Sequence, residues 1–530
     1  MTALARNKSG LRTIADPFVV APPKGVRTRT RVHLTPQEEA VLEQIGVFLG
    51  EQYRATLVDR IALGAATKKD QGVWRQVRKQ TLTASTSSRW AGAITRTAID
   101  SYDLGMRGLN AHVDSLTAAV STLSARLAAP VGDTSREANR PRTKPVRGYA
   151  TENERFHKSR RKAHLEARLA QARARQEEGR PRIVVGGGQL WRNRQNLSKT
   201  SMTLAQWEKR WTDERMFLTA DGESGKRFGN ETIRVTDEGV LMLKVPGALV
   251  AEHGTTRLTI TAPVSLNTHR GGEWADRIVA DRAVRYDLHR DPRGRWYLDA
   301  SWGYNQAPAV PLASLRTQRT LGVDLNDGHI DVAVVDPHGN VIGIPQRLEF
   351  TLTGGTARRD AQVRHVITRL IRLATEHGCA SISIENLGFD DARNTGRETM
   401  GRGRRGKRFR RTVAGIPTAT FRNRLAAMAA TGGLSVIAVD PAYTSRWGRQ
   451  HWLPALQTSD PTVDGHRAAA VVIGRRSLGH RARRKPVGPV TRQRTRDGQP
   501  ARPATRRPTP SRSRVTATPK AHDAAGPPDR

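Results

Sequence analysis

The spacing of hydrophobic residues changes character along the chain, and each change marks a different kind of structure. Residues 1–31 show no sustained period, are polar and basic, and close on Lys24-Gly-Val-Arg-Thr-Arg-Thr-Arg31, which predicts a flexible basic arm. Thr35-Pro36-Gln37-Glu38 then supplies a capping hydroxyl, a proline at the first helical position and a glutamate three residues after the cap, the signature of a helix start. Helices are expected from there to about residue 100. Between 105 and 129, Val113, Leu116, Val120, Leu123 and Leu127 recur at alternating spacings of three and four, giving a long helix one apolar face. A helical hairpin or bundle core explains this seam better than a dimeric coiled coil, because the seam is short. Pro130–Gly148 reads as a linker and 151–178 as a basic helix, so a helical region spans 32–222.

After Gly225 the period shortens. Thr232–Val235, Val240–Val245, Leu258–Thr261 and Val284–Leu288 alternate or run apolar at strand length, and Arg295–Trp302 follows a turn at Asp291-Pro-Arg-Gly294. An antiparallel, barrel-like β module is expected over 223–310, with Trp296, Tyr297 and Trp302 serving its core more than stacking on bases. From 318 to 480 strands alternate with helix: Leu321–Leu325, Ile330–Val335 and Val341–Ile344, a helix over 357–377, then Ile382–Leu387 and Ser435–Asp440. Beyond 480, Arg, Pro, Thr and Ser dominate, which predicts a disordered basic tail over 481–530. The fold class is therefore an α/β multidomain protein.

Composition narrows the partner. The 530 residues hold 89 Lys and Arg against 49 Asp and Glu, a formal charge of +40, far beyond what solubility needs. The expected partner is a polyanion, and nucleic acid is favoured over an anionic membrane because no apolar run of ~18–20 residues and no lipidation pattern occurs. The single cysteine, Cys379, cannot form an intrachain disulfide or a cysteine-based zinc cluster. It reads as a small core residue of a cytoplasmic, nucleoid-associated protein.

Two acids stand out against their surroundings. Asp324 interrupts the apolar strand Leu321-Gly-Val-Asp-Leu-Asn326, and Glu385 interrupts Ile382-Ser-Ile-Glu-Asn-Leu387. A carboxylate in an apolar strand is costly without a metal or a cationic partner. Either acid alone could face outward from a half-exposed strand; together, in the order strand, hairpin, helix, strand, they favour a metal site. Phosphodiester hydrolysis by two divalent ions about 3.5–4 Å apart calls for such hard oxygen ligands on rigid elements. Asp327, Asp331 and Asp440 lie nearby, and turn, hairpin and strand-end roles account for them. Between Glu385 and the next strand, Arg402, Arg404, Arg405, Lys407, Arg408, Arg410 and Arg411 form a cationic run suited to gripping a phosphate backbone, with Phe409 available to stack. Arg160, Arg161 and Lys162 are a second set of phosphate-tracking candidates, a solvated helix face being the alternative.

Gly322-Val-Asp-Leu-Asn326, Ile384-Glu-Asn-Leu387 and Val439-Asp-Pro-Ala-Tyr-Thr-Ser445 resemble three consecutive blocks of the TnpB-like transposon-encoded proteins, the family ancestral to the type V CRISPR effectors. The resemblance is specific over 320–478 and only architectural over 30–305. It implies an RNase H-like (RuvC-type) C-terminal domain over 318–480, preceded by a helical recognition region and a wedge-like β module. It also implies DNA cleavage with Mg²⁺ or Mn²⁺, and a transposon-derived guide RNA that reads the target by base pairing while protein contacts hold the backbone. Asp324 matches the first RuvC acid and Glu385 the second.

Two departures from that family follow. Its four-cysteine zinc finger is replaced here by Arg446-Trp-Gly-Arg-Gln-His-Trp452, so no structural zinc is expected. The family's third acid opens a small-residue helix, matched here by Ala468–Arg476, and His466 or Arg467 falls at that place. Asp464, just upstream, is taken as the third catalytic and metal-binding acid, with Asp460 more remote; a cation at the ligand position would repel Mg²⁺. The expected function is thus a transposon-associated, RNA-guided DNA endonuclease using two-metal catalysis. The alternatives are a catalytically degenerate guided DNA binder of the same fold and an unguided basic nucleic-acid-binding protein.

Overall fold

The computed structural model describes residues 13–132, 148–303, 309–386 and 418–483. The interior of the expected linker, the cationic run 402–411 and the tail from 484 onward lie outside these residues. Helix α1 (Pro36–Leu63) begins as its sequence demands: Thr35 Oγ1 accepts from Glu38 N at 3.2 Å, and Glu38 Oε2 accepts from Thr35 N at 2.8 Å. Glu38 Oε1 also accepts from the backbone and hydroxyl of Thr261, so the cap ties this helix to the β region. Helices α2 (Lys68–Ser85), α3 (Ser88–Ala128) and α4 (Glu152–Glu177) follow. Leu109, Val113, Leu116 and Leu123 of α3 pack on Leu165, Leu169 and Ala172 of α4, so the apolar seam closes a helical hairpin. Two shorter helices, α5 (Gly188–Asn193) and α6 (Leu204–Asp213), complete this region.

The arm expected over residues 1–31 needs correction. Phe18–Val19 form strand β1, and Gly25–Val32 form strand β2, paired antiparallel with Trp296–Gly303. Val26, Thr28, Thr30 and Val32 face inward while Arg27, Arg29 and Arg31 face out. The alternation was in the sequence, but the arginines masked it: a period of two hides when one face is all charge and half of the other is threonine. The buried Asp299 side chain receives the Arg29 guanidinium at 2.7 Å and that of Arg27, which anchors the strand's charged face.

The β-rich region resolves into two antiparallel sheets. One joins β2 to β8 (Trp296–Gly303), β7 (Arg285–Arg290) and β3 (Thr219–Ala220), in that order; the other orders β4 (Ile233–Val235), β5 (Leu241–Lys244) and β6 (Arg257–Thr259). Short helix α7 (Val250–His253) links β5 to β6 within the second sheet, and α8 (Gly271–Val279) connects β6 to β7 of the first. Both sheets share a core with Leu42, Ile45 and Leu49 of α1 and with Trp90 and Ile94 of α3. Trp296 and Trp302 are buried there, while Tyr297 sits on the outer face beneath Arg29.

After α9 (Leu312–Arg316), the C-terminal domain is a six-stranded mixed sheet ordered β1-β13-β12-β9-β10-β11. Strands β9 (Thr320–Leu325), β10 (His329–Val335) and β11 (Val341–Glu349) are an antiparallel meander; β12 (Ser381–Glu385) lies parallel to β9, and β13 (Ser435–Val439) parallel to β12. Helices α10 (Thr356–Glu376) and α11 (Thr418–Thr431) cover one face. On that face stand Leu321, Val323, Ile330, Val332, Ile382 and Ile384. The other face carries small and polar residues: Thr320, Gly322, Ser381, Ser383 and Ala333. Helix α14 (Gly465–Ser477), reached through α12 (Thr444–His451) and α13 (Leu453–Ser459), lies on it.

The fit between α14 and this face is close. A Cβ on Gly322 would stand 2.2 Å from the carbonyl oxygen of Ala470, and one on Gly474 would stand 2.7 Å from Val335. A hydroxyl chain runs across the contact, with Thr320 Oγ1 and Ser383 Oγ at 2.7 Å and Ser383 Oγ donating to Ser477 Oγ at 2.6 Å. No described helix is long and apolar enough to cross a membrane. Gly322→Val is expected to cost about 3 kcal/mol by forcing α14 off the sheet. Gly272→Ala, where an added Cβ meets nothing within 4 Å, is expected to cost nothing. Urea unfolding of the two variants checks the contrast.

Candidate metal centre in the C-terminal domain

Strand pairing alone brings three acids to one place. Asp331 of β10 sits directly across from Asp324 of β9. Glu385, the last residue of β12, follows Ile384, whose partner is Val323, so it comes level with Asp324 on the other side. All three share the phase of the small-residue face, because side chains alternate along a strand. They therefore emerge on the surface that α14 covers, Asp324 and Asp331 beside His466 of that helix's first turn. Asp324 is 5% exposed and Asp331 0%.

Their partners explain how so much negative charge is tolerated. His466 Nδ1, in the first turn of α14, stands 3.1 Å from Asp324 Oδ2. The Asn326 amide donates to Asp324 Oδ2 at 3.0 Å. Arg347 of β11 forks onto Asp331, with Nε to Oδ1 at 2.9 Å and Nη2 to Oδ2 at 3.2 Å. Its Nη2 also reaches Asp464 Oδ2 at 2.5 Å. Thr444 Oγ1, at the start of α12, donates to Glu385 Oε1 at 2.5 Å.

These surroundings move the protons. Burial, then the neighbouring Asp324 charge, pushes Glu385 up to about 7. Burial likewise raises Asp331 despite the Arg347 fork. His466 is raised chiefly by its hydrogen bond with Asp324. Burial alone would raise Asp464, but hydrogen bonds from the Arg467 backbone and from Arg347 hold it low.

Donor atoms of Asp324, Asp331 and His466 all lie within 4.8 Å of one another, close enough to share a metal ion. The adjacent His329 Nε2 is buried without a hydrogen-bond partner and stands 3.2 Å from Asp331 Oδ2. Two carboxylates and one imidazole form a chemically reasonable donor set for a divalent cation.

The residues singled out in the sequence are placed as follows. Asp324 and Glu385 come together as neighbouring strands. Asp464 caps α14 instead, its Oδ1 accepting from the backbone of His466 and Arg467 at 3.1 Å each, and it is not among the clustered donors. His466 takes the inward place. Asp331, assigned above to a hairpin role, is part of the cluster, and the signal was available: it interrupts Ile330-Asp-Val-Ala-Val-Val335 just as Asp324 interrupts its own strand. Arg160 and Arg161 are exposed on α4, and Lys162 pairs with Glu166 at 2.8 Å. Arg402, Arg404, Arg405, Lys407, Arg408, Phe409, Arg410 and Arg411 lie outside the described residues.

Fold and cluster together define a mixed α/β domain with a carboxylate-rich centre at its strand ends. Among solved structures, the chain is similar to T. thermophilus RuvC in complex with a Holliday junction substrate, at 11% identity over 30% of this chain and 91% of that one, with a TM-score of 0.22. It is also similar to the Cas12f1–sgRNA–target DNA complex, at 10% identity over 85% of this chain and 98% of that one, with a TM-score of 0.33. No protein-family model and no curated protein matches the sequence.

Glu385 and His466 both hold a proton more tightly in the folded state than in the unfolded chain. Their contribution to stability is therefore complete at low pH and is lost as pH rises through their folded values. In EDTA, raising pH from 5 to 8 is expected to lower the stability of the wild type more than that of Glu385→Gln. The difference should reach roughly 2 kcal/mol by pH 8. Thermal unfolding at four pH values measures it.

Proposed function

We propose that the protein is a divalent-metal-dependent DNA endonuclease with a RuvC-type domain, guided by RNA in the manner of the TnpB-like transposon-encoded proteins. The observation that carries the nuclease reading is the gathering of Asp324 and Asp331 with His466 from the first turn of α14, with Glu385 level with Asp324 on the adjacent strand. The guide-RNA part rests on the sequence blocks Gly322–Asn326, Ile384–Leu387 and Val439–Ser445 and on the +40 charge.

Asp324, Asp331 and His466 would hold a divalent ion, which supplies Lewis-acid polarisation of a phosphodiester and an activated water. Glu385, with a proton affinity near neutrality, can hold or release a proton at Oε2 while Thr444 fixes Oε1. Arg347 orients the Asp331 carboxylate, and Asp464 in turn orients Arg347 while capping α14. In this reading Asp464, expected above to bind metal itself, acts through Arg347. The imidazole donor favours Mn²⁺ over Mg²⁺, because magnesium prefers oxygen alone. Arg402–Arg411, with Arg160 and Arg161, are proposed to grip phosphates without reading bases.

Arg347 and Arg467 support a second reading, a guided binder that no longer cuts. Arg347 occupies both oxygens of Asp331, and Arg467 Nε approaches Oδ1 at 3.9 Å, so a cation must compete for that acid. The protein purified with its co-expressed RNA decides between them. Cleavage of a guide-complementary DNA in Mn²⁺, reduced at least 10³-fold by Asp324→Ala and weakened more than tenfold in metal affinity by His466→Ala, supports the nuclease. Guide-dependent binding with no cleavage in Mg²⁺ or Mn²⁺ supports the binder. Heterogeneous bound RNA and no guide dependence defeats both.

A further inference from the structure

A cavity of about 830 Å³ opens on the same domain but shares no residue with the acid cluster. Five arginines and two histidines line it, against one acid, Asp16. They converge from separate elements. Arg446, Trp447, Gln450 and His451 occupy one face of α12, Arg476 ends α14, and Arg316 ends α9. A concave wall of one sign concentrates the field and draws in an anion.

The wall is built rather than loosely gathered. Arg476 is buried, donates through Nη2 to the Ala442 carbonyl at 2.9 Å and through Nη1 to the Asp440 carbonyl, and lies 5.4 Å over the Trp447 ring. Trp447 stacks on Tyr443 with ring centroids 5.3 Å apart. The buried Arg475 donates to the carbonyls of Arg481 and Arg483 at 2.9 and 3.4 Å, which fixes the lip that carries two more of the cations. Arg316 Nε donates to the Ser477 carbonyl at 3.4 Å. These cations are thus oriented by neutral carbonyl dipoles, which leave the guanidinium charge in place.

The size and the aromatic ring narrow the ligand. A lone phosphate would fill a small part of a space that lies in the range of small-molecule sites. A nucleobase can meet the part of the Trp447 indole that lines the cavity, and its phosphate can meet the cations around it. We propose that this cavity is a nucleotide-binding subsite, holding a phosphorylated nucleoside with its base against Trp447 and its phosphate among Arg316, Arg446 and Arg476. It lies toward the C-terminal end of α14, whereas His466, which meets Asp324, lies in the first turn; thirteen residues of helix span about 20 Å. The subsite does not require an active metal centre.

The test is calorimetric titration of the full chain in EDTA with deoxyadenosine, dAMP, the dinucleotide pdApdA and inorganic phosphate. Omitting divalent ions keeps the result independent of whether the protein cleaves DNA. dAMP and pdApdA are expected to bind and deoxyadenosine to bind at least tenfold more weakly. Arg446→Glu, at an exposed position, should weaken both nucleotides at least tenfold. Trp447→Ala should weaken them while leaving inorganic phosphate unchanged, and Trp447→Phe should restore most of the loss. Tighter binding of pdApdA than dAMP identifies a unit within a strand, and equal binding identifies a free nucleotide. The proposal is overturned if neither nucleotide binds, or if Arg446→Glu, shown by circular dichroism to be folded, binds both nucleotides like wild type.

Discussion

The close seating of α14 on the sheet is the contact on which the C-terminal domain depends. Gly322 and Gly474 let two backbones approach where any Cβ would intrude, and Gly448 does the same between α12 and α14, where an added Cβ would stand 2.7 Å from Ala468. Ala468, Ala469 and Ala470 are fully buried in the same contact. Small residues on both sides place the helix axis near the strands, and this distance determines what its first turn can reach. Were the interface built from leucines, as on the opposite face, His466 would stand well clear of Asp324. Packing on one half of the helix therefore sets the chemistry at its end.

That same closeness creates an electrostatic problem, which the domain meets in three ways. Asp331 takes a bidentate arginine, the arrangement with the best geometry for a buried carboxylate. Asp324 is met by an imidazole and an amide, weaker partners that a metal ion can replace. Glu385 keeps one hydroxyl donor and shifts its proton affinity to neutrality. The acids thus range from one firmly paired with an arginine, Asp331, to one readily protonated, Glu385. A divalent ion entering here would gain most from Asp324 and His466 and would have to contest Asp331 with Arg347.

How much of this was legible in the sequence depended on how each residue's surroundings displayed it. The capping box at Thr35, the seam through Val113, Leu116 and Leu123 and the succession of strands and helix along the last domain could be read because each rests on local spacing. Strand β2 was missed because its inward residues are half threonine and its outward residues all arginine, so hydrophobicity alone shows nothing. The pairing partner that rescues it, β8, lies some 270 residues away. Asp324 and Glu385 were legible as polar interruptions of apolar strands. Asp331 is the same kind of interruption, but a neighbouring turn offered an ordinary explanation. The division of labour between Asp464 and His466 was beyond reach: two residues apart at a helix start, one caps and one points inward, and only the helix's rotation on the sheet decides which.

The two ends of α14 also differ in a way that follows from its backbone. Its first turn presents unsatisfied N–H groups and a positive dipole end, where His466 meets Asp324 and Asp464 takes the cap. Its last turn carries Arg475 and Arg476, cations at the negative end, each donating to carbonyl oxygens. Arg476 is near enough to Glu385 to draw its proton affinity down, against the burial that drives it up. Anything that changes the charge around Arg476 therefore acts on Glu385 through the field. An anion bound beside Arg476 would weaken that pull and raise the Glu385 proton affinity further, so the basic cavity and the acid cluster are linked even though they share no side chain.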